Sequence, residues 1–343
     1  MKDISKLTAP EILAFVKPEQ LFTGDASIAA IEYRKLSGIW HPDRKPGFDS
    51  VFAQISTLYR KGVDQLKKGI WEIPGVFTFS NLVGKKFEVK YKKHHVFELG
   101  DMYIGDYTIT YLINKDAKDL FDNAKKIIKN FKYANDKMKG EISRYLPEIH
   151  SEHETADKLV LIVRKTPDLI LLRDVLDHLG GKLDPKHVAW VLSSMYNLSC
   201  YLKFADLTHN SISLDTYFIS PQFHGGALLG GWWYASPVDK KLVAVPARTI
   251  KYAPHDLTSK KIAGPKIDSE LIKATGRELL GDGGGSKLLS DPTIPNATLN
   301  WLRTAGMGEA YKEYESWVKV LKDSFGERRF VKLEIQPVDI YKE

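Results

Sequence analysis

Tyr33-Arg34-Lys35-Leu36-Ser37-Gly38-Ile39-Trp40-His41-Pro42-Asp43-Arg44-Lys45-Pro46-Gly47-Phe48 holds a helix end, a proline-stopped loop and the start of a second helix. Ala29, Tyr33, Leu36 and Trp40 follow one another at helical steps and share a face. Thr23-Gly24-Asp25 supplies loop and capping chemistry upstream, so the spacing predicts a helix over 27–40. Pro42 cannot continue it, and the residue before a proline avoids helical angles. His41-Pro42-Asp43 is therefore expected on a loop tip. Phe48, Phe52, Ile55, Tyr59, Val63 and Leu66 then form a second stripe at helical spacing. Two antiparallel helices with an exposed loop between them is the expected product.

The tripeptide alone is weak; its setting is specific. Over roughly residues 10–69 the chain resembles a J domain, the DnaJ-like co-chaperone module that docks on DnaK-type chaperone ATPases. Tyr33-Arg34-Lys35-Leu36, the aromatic Trp40 before His41-Pro42-Asp43, and the phenylalanine- and isoleucine-bearing helix after it carry the likeness. The resemblance implies that His41, Pro42 and Asp43 are the ATPase-stimulating tip. It implies that Arg34 and Lys35 are basic contacts on the preceding helix. Ile31, Glu32 and Ile39 depart from the family, standing where positive or small residues are common.

The 343 residues suffice for two or three domains with cores. Hydrophobic content of 43% and charged content of 27% are those of a globular protein. There is no apolar run long enough to span a membrane, and Met1-Lys2-Asp3-Ile4-Ser5-Lys6 is not a secretory signal. Cys200, the lone cysteine, cannot make an internal disulfide and suggests a reducing cytoplasm. The net charge of +7 is carried by dispersed lysines, which argues against a nucleic-acid site.

Gly69 to Gly84, with Pro74-Gly75 and Asn81, breaks the helical pattern and reads as a boundary, with residues 71–84 as linker. The segments 87–91 and 103–113 read as strands. Lys118 to Tyr145 reads as helix, Lys158 to Val163 as a buried strand, and Pro185 to Phe204 as a long amphipathic helix. Val188, Val191, Leu192, Met195, Leu198 and Leu202 are its core stripe.

From about residue 85 to 325 this order resembles a protein kinase: a β-rich small lobe (about 85–172) and a helical lobe (about 173–343). Thr208-His209-Asn210-Ser211 through Ile219 stands where kinases place the catalytic loop. Tyr252-Ala253-Pro254-His255 stands at Ala-Pro-Glu, and Asp268 to Gly281 resembles the buried helix that follows. Glu141, at the end of the helix 118–145, takes the role of the regulatory-helix glutamate.

Phosphoryl transfer needs a proton acceptor, carboxylate and amide ligands for magnesium, a phosphate-binding lysine and a glycine-rich cover. On this alignment Ser211 replaces the catalytic aspartate and Thr216 the metal-binding asparagine. The Asp-Phe-Gly site falls on Gly230-Gly231-Trp232, Tyr111 is nearest the strand lysine, and Gly100 to Gly105 lacks the glycine spacing. Hydroxyls neither accept protons near neutral pH nor hold a divalent cation as carboxylates do. The resemblance thus implies a pseudokinase scaffold, no enzyme, with no cofactor.

Other motifs have plainer readings. His94-His95 and His150-x-x-His153 lack a third ligand at recognised spacing, so no metal site is assigned, and the latter reads as a solvated turn. Gly281-Asp282-Gly283-Gly284-Gly285-Ser286 lacks phosphate-loop spacing. Trp232-Trp233-Tyr234 reads as a packed aromatic strand, and Phe330 to Ile335 as a terminal strand.

The expected fold is α+β and multidomain: a helical hairpin over 1–70 and a bilobal kinase-like unit over 85–343. The expected function is a cytoplasmic adaptor. It recruits and stimulates a DnaK-type chaperone and holds a client or regulator on the kinase-like unit. The alternatives are a decoy that inhibits the chaperone and a divergent nucleotide-binding transferase.

Overall fold

The computed structural model describes residues 4–68, 71, 75–327 and 329–341. The chain is α+β and divides into two compact units, Met1–Tyr91 and Lys92–Glu343. Gly69 and Pro74, part of the expected boundary, lie outside the described residues.

Unit 1 contains α1 (Ala9–Ala14), α2 (Ala26–Trp40), α3 (Asp49–Lys68) and a hairpin of β1 (Val76–Ser80) and β2 (Lys86–Lys90). The Asp25 carboxylate starts α2 by accepting from the Ser27 and Ile28 amides. Ala29, Leu36 and Trp40 are buried as the spacing predicts, and Tyr33 stacks on Tyr59 at 4.2 Å between ring centres. Glu32 is buried too, its carboxylate accepting from the Thr23 amide at 2.7 Å and hydroxyl at 2.6 Å. The second stripe is rotated from expectation. Val51, Ile55 and Leu58 form the buried line of α3, whereas Phe48 is 39% exposed. Phe48 precedes the helix, and its ring meets the edge of Trp40 at 5.3 Å instead of entering the core. The segment read as linker is partly structured. Trp71 packs against the core of unit 1, filling the space beside Gly24 and Gly62, and Val76–Ser80 is a strand.

Unit 2 begins with β3 (Lys93–Phe97), β4 (Gly100–Ile104) and β5 (Thr108–Asn114). Then come α4 (Lys118–Lys129), α5 (Asp136–Ile142), β6 (Ile149–Glu154) and β7 (Lys158–Arg164). The strands form an antiparallel sheet of order β3-β4-β5-β7-β6. Buried Leu120, Phe121, Ala124, Ile127 and Ile128 make the apolar face of α4. The expected single helix over 118–145 is broken: α4 ends at Lys129, and the Asn135 side chain caps α5 by accepting from Met138.

The helical part follows: β8 (Ile170–Leu171), α6 (Leu172–His178), α7 (Pro185–Ala205), β9 (Leu207–Thr208), β10 (Tyr217–Ser220), β11 (Gly225–Leu228) and β12 (Ser236–Pro237). It ends with α8 (Ala247–Tyr252), α9 (His255–Lys260), α10 (Pro265–Leu279), α11 (Asn296–Arg303), α12 (Ala310–Phe325) and α13 (Pro337–Ile340). The core stripe of α7 is buried as read from its spacing.

The expected terminal strand does not form. Leu333 and Ile335 are buried and Lys332 and Glu334 exposed, so the alternation is real, but among the described residues no strand pairs with this segment. It runs as a strap to Tyr341, whose hydroxyl donates to Asp174 and accepts from the Leu171 amide, both at 2.9 Å. Alternating burial needs only one apolar side; a strand also needs a backbone partner.

Candidate functional site: an open tip and a buried loop

In unit 1, His41-Pro42-Asp43 joins α2 to α3. The His41 carbonyl accepts from the Arg44 and Lys45 amides, both at 2.9 Å, closing a turn. The Arg44 guanidinium donates to the Gly38 carbonyl at the end of α2, and the Lys45 ammonium sits 3.8 Å from the Trp40 ring centre. The Phe52 ring meets the His41 ring edge-on at 5.3 Å. These contacts fix the backbone and leave the side chains facing water: His41 is 45% and Asp43 87% exposed. The His41 Nδ1 lies 3.3 Å from the Asp43 amide and 3.4 Å from its Oδ2. Arg34 and Lys35 are exposed on α2, Arg34 reaching back to the Ala30 carbonyl. The tip is thus preorganised, with a cation face leading to it.

The loop at 209–216 in unit 2 is built the opposite way. Asp268 on α10 receives the His209 amide at 2.8 Å and the Asn210 amide at 2.7 Å, and all three residues are buried. Burial pushes the Asp268 carboxyl up to about 6, against the pull of those two amides. The His209 Nε2 donates to the Gly230 carbonyl at 2.9 Å, while Nδ1 has no partner among the described residues. Complete burial drives the His209 imidazole down to about 3, so it is neutral at physiological pH. Asn210 adopts φ +62° and donates to the Thr208 and Tyr234 carbonyls. The Thr216 hydroxyl accepts from the Ser213 amide and donates to the Ser211 carbonyl, so it belongs to the loop's own turn.

Gly230 and Gly231 sit where a side chain would be crowded. A Cβ on Gly230 would lie 3.0 Å from the Tyr111 hydroxyl, and Gly231, at φ +79°, would bring one to 2.7 Å from the His209 ring. Tyr111 is fully buried, its hydroxyl donating to the Leu229 carbonyl at 3.3 Å. Trp233 stacks on Phe97 at 5.3 Å and meets Tyr111 edge-on at 5.1 Å. The Tyr234 hydroxyl binds Glu98, at the β3–β4 turn, at 2.9 Å. Asn123 of α4 donates to the Trp233 and Ala235 carbonyls. The space between the sheet and the Gly230–Tyr234 segment is therefore filled by the chain's own rings. Trp232-Trp233-Tyr234 is buried as expected, but as a turn of 3-10 helix, not a strand.

Glu141 does not reach this site: it is exposed on α5, whereas α4 supplies the contact through Asn123. Gly100–Ile104 is a strand. A side chain on Gly100 would overlap the Leu112 carbonyl oxygen, so close strand approach demands that glycine. In the 281–286 loop the Asp282 carboxylate accepts from Gly284 and Lys287, spending amides that a phosphate would need. His150 and His153 lie on β6, not in a turn, and His153 contacts Ser151. His94 pairs with Asp101, and His95 with Asp174. Among the described residues no three histidine, cysteine or acidic side chains converge as metal ligands. No helix there is long and apolar enough to cross a membrane. Cys200 is half-buried, and burial pushes its thiol up to about 11, which makes it a poor nucleophile.

Sequence reasoning missed Asn123, Glu98 and Arg248. Arg248 binds the Ile212 carbonyl, the Thr275 hydroxyl and Glu278, tying the loop to α10. Asn123 abuts the Leu120–Ala124–Ile127 stripe, a polar residue at the edge of a core face, and that was its one available signal. No protein-family model and no curated protein matches the chain.

Proposed function

We propose that unit 1 is a J-domain module that docks on a DnaK-type chaperone ATPase and stimulates it through His41, Pro42 and Asp43. The tip geometry carries the reading: a backbone pinned on both sides, with the imidazole and carboxylate left open to a partner. Such a tip pays little ordering entropy on docking. Arg34 and Lys35 supply positive charge one to two turns away, suited to an acidic partner surface.

Unit 2 is, on the same reading, a kinase-like scaffold without phosphotransfer. The sheet order, the helix α4 beside it, the short connector and the helical part support that architecture. Of the groups that the alignment puts at catalytic positions, His209 is neutral and buried, Thr216 closes a turn, Gly230 offers only backbone, and Glu141 lies elsewhere. The unit then serves to hold a client or regulator. Tethering two modules in one chain raises the local concentration of chaperone at that cargo, to the millimolar range for a short linker.

The test is the steady-state ATPase rate of a DnaK-type chaperone with the full chain and with His41→Gln. Stimulation that disappears in the variant supports the proposal. Suppression that depends on His41 makes the protein a decoy, and magnesium-dependent ATP binding by unit 2 favours a transferase.

A further inference from the structure

The outward face of α2 carries a stripe that the fold does not use. Steps of three and four join Ile28, Ile31 and Lys35, with Arg34 beside Lys35, and the line continues toward Gly38 and the tip. Ile31 is 61% exposed and Ile28 39%, while the opposite face, Ala29, Glu32, Leu36 and Trp40, is packed. Single exposed apolar side chains are ordinary. Here two branched ones lie one turn apart, in line with two cations and the tip. Glu32, whose number places it among them, is turned inward and bound to Thr23, so no acid interrupts the stripe.

At the helical rise, Ile31 lies about 6 Å from Lys35 along the axis and about 15 Å from His41. An interface of ordinary size covers about 800 Å² per partner. A partner that engages Lys35 and the tip together therefore also covers Ile31. We infer that Ile28 and Ile31 form the apolar half of this docking face and set partner choice. The chaperone ATPase domain that fits presents an apolar patch next to its acidic one. The inference rests on the co-chaperone reading. Charge favours this occupant over a second copy of the chain, since Arg34 and Lys35 would then face their own counterparts.

The test is a titration of chaperone ATPase stimulation by the full chain, at low and high salt. The proteins are wild type, Ile28→Ser/Ile31→Ser, Ile31→Lys and His41→Gln. All three substituted side chains are solvent-facing, and unchanged thermal midpoints verify folding. The double serine variant is expected to need about tenfold more protein for half-maximal stimulation at both salts, because the lost term is apolar and unscreened. Ile31→Lys is also expected to weaken docking, although a purely electrostatic face would gain from the added charge. Serine variants that titrate like wild type while His41→Gln is inactive overturn the inference and leave the co-chaperone reading intact. Wild-type protein that never stimulates overturns that reading, and the inference with it. A wild-type dimer that the serine variant dissociates also overturns the inference, because the stripe is then a self-association surface.

Discussion

The two loops of this chain are opposites in how they use polar groups. At 41–43 the backbone is held and the side chains are open to water; at 209–216 the His209 Nε2, the Asn210 amide nitrogen and the Thr216 hydroxyl are turned onto backbone carbonyls. Asp43 faces water, whereas Asp268 is buried against two amides. A side chain that satisfies its own fold has nothing left for a partner or substrate. On the proposed function, the open loop of unit 1 is the one that meets a partner, and the loop in unit 2 serves as scaffold.

The largest expected break in that contrast is Asp268→Ala. It strands two buried amides, each worth about 1–3 kcal/mol. Unit 2 should lose about 2–6 kcal/mol, read from its urea midpoint. An unchanged midpoint would mean that Asp268 does not hold the loop.

Trp233→Ala should follow, at about 3–5 kcal/mol, because it empties the space between Phe97 and Tyr111. Thermal unfolding checks it.

The third prediction concerns acid. The folded-state value of His209 lies near 3, below its unfolded value of 6.5, so its contribution is intact above pH 6.5 and lost as pH falls toward 3. The slope is about 1.4 kcal/mol per pH unit. Asp268 acts in the opposite sense: its value near 6 lies above its unfolded 3.8, so it stabilises as pH falls through that window. His209→Gln keeps a donor for Gly230 and removes the acid-sensitive group. The stability difference between wild type and variant should narrow on acidification, and a constant difference from pH 7 to 4 would refute the assignment.

The smallest effect on stability is expected at the other loop. Asp43→Asn should change unfolding by less than about 0.5 kcal/mol, since the group is solvated. It should nevertheless abolish chaperone stimulation, and that split sharpens the contrast.

Much of this was legible in the residues. The α2 stripe, the proline stop at Pro42 and the α7 core follow from local spacing, which one face of burial enforces. The rotation of α3 was not, because Phe48 and Phe52 outweigh Val51 and Leu58 in a hydrophobic count yet flank the seam. Glu141 was misplaced because a helix break at 130–135 has no proline to announce it. The false strand at 330–335 alternates correctly, but pairing is decided by a distant partner. That Ser211, Thr216 and Gly230 bring no carboxylate to this loop was readable. That Tyr111 and Trp233 pack together beside it was not, since those contacts join residues far apart in the chain.

The most direct test compares three versions of the 343-residue chain in one chaperone ATPase assay: wild type, His41→Gln and Ser211→Ala. The account predicts stimulation by wild type and by Ser211→Ala, and none by His41→Gln. Equal stimulation by all three, or loss in Ser211→Ala alone, would contradict it.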